Sequence, residues 1–209
     1  MNLQSLAACA LAVLTCSCAA TSVKTTWKSP EYRGGPLTNI AVLTIDERNL
    51  LRKGFENRLA RELKKTGVSV VLTHELLSLS EINQDKRAAA ERFRAAGAQA
   101  IAILRLASLN SQYRESRPGG ERYAETITGF ETGYWYNYYS VAYTDMGVTY
   151  GNLKQQVNLE TRLYDLTTAK GLWGGLTQTV VSETMDRVAE MDPIVEKIVA
   201  AMRKDGMVP

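Results

Sequence analysis

The sequence predicts an α/β domain: a mixed sheet with a βαβαβ unit, followed by an antiparallel hairpin and a C-terminal helix. Three observations predict it. Apolar runs alternate with helical patterns from Asn39 to Ala107, polar and apolar residues alternate from Leu153 to Asp165, and an amphipathic stretch follows Asp192.

Ile40 to Ile45 is an almost unbroken apolar run, as expected of a central strand covered on both faces. Leu51, Phe55, Leu59 and Leu63 then recur every four residues, which predicts an amphipathic helix over 48–66 ended by Gly67. Val68 to Leu72 reads as a second strand, and His74 to Leu79 as a partial helical turn. Gln84 to Ala96 reads as a helix packed through Ala88, Ala89, Phe93 and Ala96, and Ala100 to Ala107 as a third strand. Strands joined by helices in this order pair in parallel through right-handed crossovers.

The hairpin follows. Leu153, Val157, Leu159 and Leu163 share one face, while Lys154, Gln156, Asn158, Glu160 and Arg162 share the other, which predicts a solvated face. Thr167 to Gly171 turns the chain into a second strand, Leu172 to Ser182. Asp192 as N-cap and Pro193 at the first helical position open a last helix that Gly206 ends.

Residues 39–209 thus form a single domain, preceded by a tether over 18–38, with room in it for a short strand, and a signal peptide over 1–17. An apolar share of 45% and a charged share of 22% are those of a globular chain. The net charge of +3 is spread along the sequence, and no extended basic face is laid out for nucleic acid.

An aromatic-rich insertion occupies 108–152. Between Glu121 and Asn152 stand seven tyrosines, Tyr123, Tyr134, Tyr136, Tyr138, Tyr139, Tyr143 and Tyr150, punctuated by glycines. This composition reads as an extended hairpin or loop. Tyr134, Trp135, Tyr136, Tyr138 and Tyr139 are the candidate partner-binding residues of a docking or membrane-proximal surface, because aromatic rings give large contact area with few rotors to freeze. The plainer reading is a strand pair whose rings cover their own sheet.

Catalytic chemistry finds little support. His74 is the only histidine, which excludes a multi-histidine metal site and leaves a strand-end histidine that reads as structural or solvated. Gly171-Leu172-Trp173-Gly174-Gly175 lacks the ending of a phosphate-binding loop and reads as part of the hairpin. The basic run Lys86, Arg87, Arg92 and Arg94 reads as a solvated helix face. No catalytic residue, cofactor site or metal site is assigned, and the chain is expected not to be an enzyme. A carboxylate-dependent hydrolase or ligand-binding enzyme built on Glu125, Glu131 or Asp145 is the rival expectation.

The cysteines point elsewhere. Cys9, Cys16 and Cys18 are the only three in the chain, so the body can form neither an internal disulfide nor a thiolate site. A short apolar run from Leu3 to Leu14 precedes Cys16 and Cys18 and is too short for a comfortable span, which takes roughly 20 apolar residues. With Leu14 four residues before Cys18 and Ser17 just before it, the segment resembles bacterial lipoprotein precursors, which are cut before a cysteine that is then acylated. The resemblance implies lipidation, palmitate included, at Cys18; Thr15 and Cys16 depart from the usual motif, so Cys16 and Cys9 stay open as anchors. Ala19 after the anchor implies sorting to the periplasmic face of the outer membrane.

Ala19 to Trp27 and Gly151 to Gln155 are similar to segments of proteobacterial envelope lipoproteins to which no activity is assigned, and the element order resembles the TolB N-terminal domain and the CsgG periplasmic domain. These resemblances imply a non-enzymatic binding or assembly module, held to the membrane by its lipid and meeting an envelope protein partner. Self-assembly into a homo-oligomer stays open.

Overall fold

The computed structural model describes residues 20–109, 134–145, 156–180 and 191–209. In chain order their elements are β1 (Ala20–Lys28), β2 (Asn39–Ile45), α1 (Asn49–Lys65), β3 (Ser69–Leu72), α2 (Leu79–Gln84), α3 (Lys86–Ala95), β4 (Ala100–Leu109), α4 (Trp135–Asp145), β5 (Gln156–Asp165), β6 (Gly171–Val180) and α5 (Met191–Lys204). Among the described residues the strands form one six-stranded sheet in the order β1-β6-β5-β4-β2-β3. β2 pairs in parallel with β3 and β4, and the remaining pairs are antiparallel. The predicted fold class is the observed one.

The chain moves from β2 out to β3, then back past β2 to β4. Right-handed crossovers in opposite directions put their helices on opposite faces of the sheet, and α1 and the α2–α3 pair lie so. On one face Leu51, Phe55, Leu59 and Leu63 of α1 and Ile194, Val195, Ile198 and Met202 of α5 pack on Ile40, Val42, Ala102 and Leu104. On the other, Ala89, Ala90 and Phe93 of α3 and the rings of α4 pack on Ala41, Leu43, Ile101 and Ile103. β2 therefore buries successive side chains in alternate layers, which is why its sequence is apolar without alternation. Each large side chain so buried stabilises the fold by about 1.5–3 kcal/mol relative to exposure.

Local signals set several boundaries. Lys64 and Lys65 close α1 at the negative end of its dipole, and Gly67 leaves it at φ 88°, a conformation glycine adopts without strain. The helix expected over Gln84 to Ala96 is α3, and a separate short helix, α2, precedes it. Ser78 and Glu81 cap α2 reciprocally, and Asp85, extended at φ −142°, caps α3 by accepting from the Arg87 and Ala88 amides. A 3₁₀ turn over Thr73–Glu75 stands before α2. α3 packs through Ala89, Ala90 and Phe93, while Ala88 and Ala96 face solvent, a rotation of the expected face. α5 begins at Met191, so Asp192 lies within the first turn rather than capping it, and there it pairs with Arg58 and Arg61 of α1 at 2.9 and 2.6 Å.

Part of the expected tether is a strand. β1 pairs antiparallel with β6 from Ala20↔Val180 to Lys28↔Trp173, with a bulge between Val23 and Thr25. Leu37 is buried, and its amide donates to the Met207 carbonyl at 2.8 Å. β1 carries no apolar periodicity because most of its side chains face solvent; backbone pairing holds it. Its bulge and its lysines Lys24 and Lys28 suit an edge that does not recruit another strand. On β6, a Cβ at Gly175 would sit 2.4 Å from the Trp173 ring, so this glycine is the space in which the tryptophan lies.

Candidate functional site: the aromatic helix and its groove

The candidate partner-binding residues do not lie on a hairpin. They form the start of α4, where Trp135, Tyr138, Tyr139 and Ala142 recur at helical spacing and are all buried, Trp135 and Tyr139 completely. Trp135 meets Tyr139 edge-on at 6.2 Å between centroids, and Tyr138 meets Tyr164 at 5.9 Å. The Tyr139 hydroxyl donates to the Leu79 carbonyl at 2.7 Å, fastening α4 to α2. Trp135, Tyr138 and Tyr139 are buried in the core. Tyr136 is half-buried, and Tyr134 is 51% exposed. The rest of the insertion, with Glu125 and Glu131, and the side chain of Asp145 lie outside the described residues, as does Cys18.

α4 covers the sheet face that alternation predicts to be solvated. Glu160 and Arg162 are buried there with Arg105 of β4. The Glu160 carboxylate accepts from Arg105 Nε at 2.8 Å, Arg162 Nε at 2.6 Å and the Tyr138 hydroxyl at 3.1 Å. Both guanidinium carbons stand over the Tyr138 ring, at 4.9 and 4.4 Å from its centroid, a cation–π arrangement that gains from desolvation. Burial, then the Glu160 charge, pushes the Tyr138 hydroxyl well above its ordinary value. Burial also raises Tyr139 and pushes Tyr164 up to about 12. Burial opposes the charge on Arg162, yet Glu160 and the neighbouring phenols hold its pKa above the ordinary value.

A second buried carboxylate, Glu56 of α1, accepts from the Thr44 amide (3.1 Å), Arg52 Nε (3.1 Å), Thr73 Oγ1 (3.2 Å) and the His74 amide (2.9 Å), and lies 2.7 Å from His74 Nδ1. Arg52 also donates to the Leu77 carbonyl at 2.9 Å. This cluster joins α1 to β2 and to the turn after β3. His74 partners Glu56 rather than its neighbour Glu75, in a structural role.

Where α4 begins, a groove of about 650 Å³ opens between the end of β1 and the β5–β6 turn, lined by Trp27, Tyr32, Tyr134, Asp165, Lys170 and Leu172 among others. Three signals build it. Asp165 Oδ1 accepts from the Thr167 and Thr168 amides at 2.9 and 2.6 Å and shapes the turn, which closes through Ala169 at φ 61°. Tyr134 bridges to Lys170, and the Trp135 amide donates to the Ala169 carbonyl at 3.0 Å, which pins α4 to that turn. The Tyr32 hydroxyl donates to the Gly35 carbonyl at 2.6 Å; burial and the nearby Asp165 raise its pKa. Lys170 reaches Glu31 at 3.4 Å across the mouth. Such a concave surface of rings with a few polar groups can hold a ligand or a partner segment. Sequence reasoning passed over Trp27 and Tyr32, which stand in the expected tether.

No family model matches this chain, and no curated protein matches it. Among solved structures it is similar to two PelC dodecamers from Paraburkholderia phytofirmans, at 13% identity and a TM-score of 0.47, and at 11% and 0.44, each over 87% of this chain and 96% of the other. It is also similar to the lipoprotein GNA1162 from Neisseria meningitidis, at 12% identity and a TM-score of 0.40, over 79% of this chain and 96% of that one. Likenesses this distant carry no argument about activity, assembly or partners.

Proposed function

We propose that the protein is an outer-membrane-anchored lipoprotein that acts as a non-enzymatic binding or assembly module of the cell envelope. One observation carries the reading: all three cysteines stand within the N-terminal apolar stretch and its end, and none follows Cys18. The body makes no use of thiols, whereas an acylated terminus requires one. Acyl chains hold a protein to a bilayer at about 0.8 kcal/mol per buried methylene, so a multiply acylated Cys18 is a durable anchor. Confinement at the membrane raises the effective concentration of the module at its partner.

The docking surface in this reading is the groove, with Tyr134, Tyr32 and Trp27 as its rings, in place of the buried face of α4. Two measurements on intact cells test it. Cys18→Ser should release the protein from the membrane fraction, with Cys16→Ser as the control that should not. A photo-crosslinking residue at Tyr134 should give a discrete adduct that the same residue at exposed Val141 does not give. Membrane retention of Cys18→Ser, or equal adducts at both positions, would contradict the reading.

A further inference from the structure

Among the described residues the first strand begins at Ala20, and in sequence a single residue, Ala19, separates Cys18 from its eight-position ladder with β6. That connection spans at most about 7 Å between Cα atoms, and resting on the anchoring reading above, it removes the free tether such a module would otherwise have. We infer that the protein stands on the bilayer with the pole where β1 starts facing lipid and the aromatic groove facing away from it.

The register fixes what lies at each pole. β1 runs antiparallel to β6 and β6 runs parallel to β4, so the start of β1 shares a pole with the ends of β2 and β4 and the start of α1. Ile45, the last residue of β2, lies in one row with Arg105, Glu160, Leu176 and Thr25. β1 therefore projects five residues past that row, to Ala20. In the other direction β1 ends at Lys28, beside Trp27 and Ser29 of the groove. Nine extended residues place the groove on the order of 30 Å from the anchored end.

The anchored end carries both charged and aliphatic side chains: Asp46 and Arg48 pair there at 2.9 Å, and exposed Lys24 stands on β1. Leu50, 67% exposed in the first turn of α1, lies at the anchored end, and Val23 and Val141 lie in that half. Val141 stands one turn beyond Tyr138, away from the Tyr134 end of α4. At the groove end α1, α3 and α5 all finish, with Lys64, Lys65, Arg92, Arg94, Arg203 and Lys204 in their last turns. These cations suit the helix C-termini they occupy and stay hydrated when that end faces water. The aliphatic side chains are the ones whose approach to lipid costs least.

The experiment exploits the absence of other thiols. The acylated full-length protein is reconstituted in phosphatidylcholine vesicles carrying a nitroxide-labelled lipid, and single-cysteine variants Leu50→Cys, Val23→Cys and Thr167→Cys carry an environment-sensitive fluorophore. Quenching should be several-fold stronger at positions 23 and 50 than at 167, and a ten-residue Gly-Ser insertion after Ala19 should abolish the contrast. Equal quenching at all three positions in vesicle-bound protein, or the strongest at 167, would overturn the orientation while leaving the anchor intact. Failure of the protein to float with the vesicles would overturn the anchor and the orientation together.

Discussion

The two buried carboxylates of this protein solve one problem in different ways. Glu56 sits in the parallel half and accepts from residues 44, 52, 73 and 74, close in sequence, including two backbone amides. Glu160 sits in the antiparallel half and is held by side chains alone in the hydrogen bonds described, from Arg105, Tyr138 and Arg162. Backbone donors cannot leave without unfolding the strand and turn that carry them, whereas Tyr138 can leave with α4. Glu56 is thus part of the frame, and Glu160 is the means by which the frame holds the aromatic helix and, through it, one wall of the groove.

This contrast can be broken in order of severity. Glu56→Ala leaves buried Arg52 and the amides of Thr44 and His74 without their acceptor; a loss on the order of 5 kcal/mol is expected, with a drop in the urea midpoint and hydrogen exchange rising across α1, β2 and β3 alike. Glu160→Ala should cost about 3–5 kcal/mol by stranding two buried guanidiniums. There exchange should rise first in α4 and the β5–β6 turn, with α1 still protected; uniform loss in both variants would erase the distinction.

Alkaline titration sharpens it further. The raised pKa values of Tyr138, Tyr139 and Tyr164 mean that folding favours the neutral phenols. That stabilisation is complete below the unfolded tyrosine value near 10 and is lost as pH rises through the folded value, about 12 for Tyr164. Of the ten tyrosines, Tyr138, Tyr139 and Tyr164 should ionise only as ellipticity is lost. Titration of all ten together near pH 10 with ellipticity intact would contradict the burial of α4. The smallest effect is at the turn: Ala169→Gly relieves a left-handed backbone, and a gain of up to about 1 kcal/mol is expected, read as a higher melting temperature.

The same contrast explains what could be read from the chain. The parallel half was legible because β2 is an apolar run of strand length and α1 carries its apolar residues every four positions. β1 was legible only as the short strand the tether had room for, since an edge strand held by its backbone ladder has no face to mark its bounds. In the stretch around Trp135 and Tyr138 the helical spacing was present, but β-favouring aromatic composition argued the other way, and packing on α2 and the sheet decided it. Alternation along β5 showed which side Glu160 and Arg162 take; it could not show that a helix from elsewhere in the chain covers them. The groove drew Trp27 and Tyr32 from a segment with no periodicity, which only the tertiary fold brings to Tyr134.

Cys18, the residue on which the functional reading turns, lies just outside the described fold, and its chemistry is directly measurable. Intact mass of the protein purified from the membrane fraction should give a chain beginning at Cys18 with a diacylglyceryl thioether and an amide-linked acyl chain. A mass matching the full sequence from an unmodified Met1, or a cleaved chain whose cysteine carries no lipid, would contradict the account.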